Sequence, residues 1–133
     1  MNHDEQTIQN ILQEWAIFTR MGVEDKILDH HRLDLVIYDV LPPLKYDSAE
    51  AYRKSWDDWH LENQDGMIFE FAELTIKTDE NLAFAFGIIR CGGRMDDGSE
   101  FENFVRATFA LEKTEQRWQI THQHMSMPLV GQS

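Results

Sequence analysis

The sequence predicts an α+β fold: three N-terminal helices packed on a bent, mostly antiparallel sheet that wraps into a cone. Three observations predict it. Between Ile8 and Phe18, Ile8, Ile11, Leu12, Trp15 and Phe18 recur at the three- and four-residue spacing of one helix face. From Met67 onward the pattern changes to the alternation of strands and keeps it through four successive stretches. The resulting order, α-α-β-α-β-β-β-β, gathers the helices on one side of a sheet. A wrapped sheet has an interior, and ligand pockets favour such concave places.

The first helix is expected over Asp4–Arg20, with Gly22 ending it in the usual C-terminal role. A shorter helix is expected from Glu24 to His31, with Ile27 and Leu28 facing inward. His30 and His31 then close it, where protonated imidazoles would complement the dipole. Leu33–Val40 is β-branched and aromatic, a strand, and Leu41-Pro42-Pro43-Leu44 stops it because proline cannot donate to a ladder. Asp47 is expected to cap a third helix, Glu50 completing a capping box. On that helix Tyr52, Trp56 and Trp59 share one stripe, and Asn63 to Gly66 end it.

In Met67–Lys77 the apolar phase changes between Phe69/Phe71 and Leu74/Ile76, which predicts a bulge that bends the sheet. After the turn Thr78–Asn81, Leu82, Phe84, Phe86 and Ile88 face one way. Ala83, Ala85 and Gly87 face the other and leave room for close backbone approach or a ligand. Arg94–Gly98 is a hairpin turn, Glu100–Glu112 the next strand, and Lys113–Gln116 leads into the last. In that last strand strict alternation puts Trp118, Ile120, His122, His124 and Ser126 in one row, apolar at one end and titratable at the other.

At 133 residues the chain is expected to form one domain, 1–133. Its 24 acidic and 12 basic residues give a formal net charge of -12, which disfavours nucleic acid and anionic membranes as partners. No apolar run reaches the ~20 residues of a membrane span, and the acidic, polar start is unlike a secretory signal, so the expected location is cytoplasmic. The single cysteine, Cys91, excludes an internal disulfide and reads as a structural thiol.

This pattern resembles the SnoaL-like, ketosteroid-isomerase-like branch of the nuclear transport factor 2-like (cystatin-like) superfamily. The likeness is carried by Tyr38-Asp39-Val40-Leu41-Pro42-Pro43 with Ala51–Trp56, by Arg106-Ala107-Thr108, and by Trp118 to Pro128. The last segment, His-x-His-x-Ser-x-Pro after Trp-x-Ile, also resembles the end of the calcium/calmodulin-dependent kinase association domain. Relatives include isomerases, cyclases, dehydratases and oligomerisation domains, so the fold alone does not select a chemistry. By position Asp39 resembles the general base of ketosteroid isomerases. Trp15 stands where that family has a tyrosine, and no counterpart of its acidic donor occurs near Val105–Phe109.

The expected function is small-molecule binding, extending to a cofactor-free isomerase, cyclase or dehydratase with Asp39, His122 and His124 as the catalytic groups. A carboxylate beside apolar walls can take a proton next to a carbonyl. Two histidines about 7 Å apart along a strand can serve as acid and base near neutrality. No third metal ligand is evident, and no metal is expected. Tyr38, Trp56 and Trp59 are the candidate cavity walls, and Ser126 is placed to orient a histidine. Arg106 has two readings, a clamp on a ligand carboxylate or an ion pair with a residue such as Glu102, and strand register decides between them. The alternative to an enzyme is a non-catalytic ligand-binding or association domain. The resemblance also implies a homodimer through the outer sheet face.

Overall fold

The computed structural model describes residues 2–56, 67–94 and 97–129. Helix α1, His3–Met21, begins where the Asn2 side chain accepts a hydrogen bond from the Glu5 amide and ends at Gly22 with φ 70° and ψ 29°. Its buried stripe is Ile8, Ile11, Leu12, Trp15 and Ala16. Helix α2, Glu24–Ile27, is a single turn, and strand β1, His31–Tyr38, starts soon after it. The expected longer helix therefore does not form: His31 belongs to β1, is buried, and pairs with Ile120.

Helix α3, Ala49–Ser55, is capped by Ser48, whose hydroxyl accepts from the Ala51 amide at 3.0 Å. Asp47, the expected cap, instead pairs with Lys45 at 3.3 Å. Strands β2 (Ile68–Thr78), β3 (Leu82–Arg94), β4 (Glu100–Thr114) and β5 (Arg117–Ser126) complete a five-stranded sheet of order β1-β5-β4-β3-β2. Only β1 and β5 run parallel; the other neighbours are antiparallel.

The predicted bend in β2 is present as a register shift between Phe71 and Glu73. Gly87 lies opposite it, where a Cβ would collide with the Glu73 carbonyl oxygen. A bulge brings a facing backbone close, and only glycine fits beneath it. Ala83, Ala85 and Ile89 turn towards the helices, while Phe84 and Phe86 stack on the outer face, 50% and 44% exposed.

A second bulge was not anticipated. Ala110 pairs with His122 and Leu111 with Ile120, leaving Thr121 as the extra residue of β5, its hydroxyl donating to the Ala110 carbonyl at 3.3 Å. A one-residue insertion reverses the faces of everything beyond it. Trp118 and Ile120 are buried before it; after it Gln123 and Met125 are buried, whereas His122, His124 and Ser126 are not.

The core lies between α1 and the sheet. Trp15 meets Phe69 and Phe109 edge-on, each at 5.3 Å between ring centres. Each buried aromatic or aliphatic side chain there contributes about 1.5–3 kcal/mol. At the far end the Trp118 indole donates to Asp4 at 3.1 Å, tying β5 to α1.

Candidate functional site

A cavity of about 830 Å³ lies between the helices and the inner face of the sheet. Trp15 and Thr19 reach it from α1, Tyr52, Ser55 and Trp56 from α3, and Asp39 to Pro43 with Tyr46 from the β1–α3 loop. Phe69, Cys91, Val105 and Met125 come from the sheet, and Met67 from the residue just before β2. Its walls are mainly apolar and aromatic, with a few polar groups set into them. This is the composition of small-molecule sites, whose volumes run from about 300 to 1,000 Å³.

Asp39 follows the last residue of β1, where the Pro42–Pro43 break turns the chain over the cavity mouth. Its Oδ1 accepts from the Val40 amide at 2.7 Å. The Tyr52 phenol stands beside it. Burial first, then the charge of Asp39 and the hydrogen bond to it, hold that phenol well above its ordinary pKa. Tyr52 is therefore a neutral donor at any physiological pH. Tyr46 and Trp56 flank its ring edge to face, at 5.1 and 5.4 Å. Burial also pushes up the pKa of the Cys91 thiol.

Asp39 and Trp56 thus occupy the expected place; Trp59 lies outside the described residues. The other expected site residues lie elsewhere. His122 and His124 pack against Tyr38, ring centres 4.9 and 5.2 Å apart, on the sheet face away from the cavity. His122 Nδ1 lies 2.7 Å from the Val36 carbonyl, which can only accept, so that nitrogen carries the proton. Arg106 and Ser126 face each other on the same outer surface, Arg106 Nε donating to Ser126 Oγ at 3.1 Å. The expected joint action of Asp39 with His122 and His124 is not assembled, because the Thr121 bulge turns both imidazoles outward. The same bulge turns Ser126 outward, while Tyr38 and Arg106 face outward by the alternation of their own strands, next to the buried Ile37 and Ala107.

Sequence reasoning passed over Tyr52, Tyr46, Thr19 and Asn103. In the sequence Tyr52 is one member of an aromatic stripe; its place beside Asp39 depends on the loop that brings β1 back over α3. Among the described residues no group of three or more His, Cys, Asp or Glu side chains could hold a metal ion, and no helix is long and apolar enough to cross a membrane.

The SnoaL-like domain model matches residues 8–130. The chain belongs to the SnoaL-like family. Its fold is shared with a nuclear transport factor 2-like protein of unknown function from Pseudomonas putida, with 26% identity, 98% and 92% of the two chains covered and a TM-score of 0.83. The association domain of the calcium/calmodulin-dependent protein kinase II of C. elegans matches at 12% identity, covering 93% and 95%, with a TM-score of 0.77. A candidate ketosteroid isomerase from Shewanella frigidimarina matches at 20% identity, covering 88% and 92%, with a TM-score of 0.71. Among curated proteins none matches. The SnoaL-like assignment and these likenesses bear out the cystatin-like α+β cone expected from the sequence.

Proposed function

We propose that this SnoaL-like chain binds a small, largely apolar organic molecule in the cavity, and that Asp39 is the group that acts on it. The observation that carries this reading is the Asp39 carboxylate beside the Tyr52 phenol in a mainly apolar and aromatic cavity, where Glu24 is the other acid. Such a carboxylate accepts a proton from carbon next to a carbonyl, the step shared by isomerases, cyclases and dehydratases that use no cofactor. Tyr52 stands beside it, and a phenol that stays protonated can donate to the carboxylate and hold it in place. Tyr46 and Trp56 in turn hold the Tyr52 ring.

The test is exchange of the α-protons of cyclic ketones in D2O, followed by proton NMR. Asp39→Asn should slow it by about 10²–10⁴-fold, the usual contribution of a positioned base. His124→Ala should leave it unchanged. Exchange that survives Asp39→Asn and is lost in His124→Ala would return the chemistry to the outer face.

A second reading, assembly with another copy of the chain, is favoured by the outer sheet face. Phe84, Phe86 and Phe104 are each half-exposed there, beside Tyr38 and His124. Sedimentation equilibrium should give a dimer mass at micromolar concentration, and Phe86→Glu should shift it to the monomer. A monomer in the unaltered chain would dispose of this reading.

A further inference from the structure

We infer that the molecule this cavity admits carries a positive charge: an organic ammonium ion with an aromatic or alicyclic body, rather than a carboxylate or phosphate ester. The inference rests on the reading that the cavity holds a small organic ligand. Two acids, Asp39 and Glu24, line it, and among the described residues no Lys, Arg or His does. Glu24 shares its charge with Arg53, 4.0 Å away, so Asp39 supplies most of the field inside. An anion entering would lose its hydration beside two carboxylates and gain no cationic partner, a large cost. A cation would exchange its hydration for Asp39.

The aromatic walls point the same way. Tyr46 and Tyr52 meet at 67° between ring planes, and Tyr52 and Trp56 at 76°. An edge-to-face contact covers one face of one ring and leaves the others free, and a free face turned to the cavity receives a quaternary or tertiary ammonium group. Tyr46 and Trp56 pack on Tyr52, which stands beside Asp39, so the carboxylate and the aromatic walls lie in one part of the cavity. The chain's net charge of -12 also draws cations towards it from a distance.

The α1 wall offers a different contact. Thr19 lines the cavity, and its hydroxyl oxygen, turned away from the open space, has no hydrogen-bond partner among the described residues. A buried hydroxyl without a partner is costly, and a turn of the Thr19 side chain about χ1 would present it to a ligand hydroxyl or carbonyl. The ligand that fits both walls is bifunctional, with an ammonium towards Asp39 and a hydrogen-bonding group towards Thr19.

Three naphthalene probes of nearly equal size test the charge: naphthylmethyl-trimethylammonium, naphthylmethanol and naphthoate, titrated calorimetrically into the full chain. The ammonium should bind about tenfold tighter than the alcohol, and the carboxylate about tenfold weaker or not at all. Asp39→Asn should bring the ammonium to the level of the alcohol on that same variant. Raising salt from about 20 to about 500 mM should weaken the ammonium and not the alcohol, a readout that needs no variant. If the alcohol binds as well as the ammonium, or the carboxylate binds best, the charge assignment is overturned while the cavity reading stands. If none of the three binds, both fall.

Discussion

Acidification should destabilise this protein through one histidine. His31 is 5% exposed, and its Nε2 lies 2.9 Å from the Gln123 side-chain oxygen; its Nδ1 is buried without a partner among the described residues. Burial, opposed in part by the Gln123 hydrogen bond, pushes its pKa from 6.5 down to about 4. The unfolded chain therefore takes up a proton on this ring before the folded one does. Stability is intact above pH 6.5 and is lost as pH falls towards 4. At ~1.36 kcal/mol per pKa unit, the loss reaches roughly 1.4 kcal/mol at pH 5.5 and approaches roughly 3 kcal/mol near pH 4.

The carboxylates add their own acid dependence, so the assay must isolate the imidazole. Urea unfolding at pH 7.5 and 5.5 should be compared between the unaltered chain and His31→Gln, which keeps a donor facing Gln123 but does not titrate. The unaltered chain should lose about 1.4 kcal/mol more than the variant over that interval. In NMR the His31 ring signals should not titrate above pH 5. Equal losses in the two proteins, or a titration midpoint near 6.5, would refute the reasoning.

Three further outcomes follow from the geometry. Deleting Thr121 should leave His122 and His124 outside and Gln123 and Met125 inside, because Leu111 and Ala110 then face the consecutive residues Ile120 and His122; a loss of no more than ~1–2 kcal/mol is expected, read from urea midpoints, and a larger one would mean that the bulge does not set the faces of β5. Gly87→Ala should cost on the order of 2 kcal/mol by the same measurement, because the new Cβ meets the Glu73 carbonyl while β2 cannot move away without losing its bulge. Cys91 should react with a disulfide reagent at pH 7.5 about tenfold or more slowly than free cysteine, since burial raises its pKa, and a ligand in the cavity should slow it further.

Much of the fold was legible because local patterns and tertiary packing agree. The α1 stripe, the Gly22 cap and the β2 bulge are written in spacing, a glycine and a phase change, and all are present. Where the structure departs, one residue usually decides. Asp47 and Ser48 are both good caps, and the chain uses Ser48. His31 ends no helix because β1 pairs with β5 from its first residue, a long-range constraint no local pattern carries.

The Thr121 bulge was invisible for a related reason. Trp118, Ile120, His122 and His124 alternate without a break, and nothing in Ile120-Thr121-His122 marks an extra residue. The bulge is favoured by what it buries: Gln123 reaches His31, and Met125 reaches the cavity, while the imidazoles stay with Tyr38. Asp39 was found from its place before two prolines, and Trp56 from its stripe. Tyr52, the partner that gives Asp39 its setting, required α3 and the β1–α3 loop to be brought face to face.

The most direct test of the central claim is a crystal structure of the chain grown with the tightest of the three naphthalene probes. The account predicts density for the probe inside the cavity, in contact with Asp39 and walled by Trp15 and Trp56. A cavity filled by the protein's own side chains, or a probe seated on the outer face against Tyr38, His122 and His124, would contradict it.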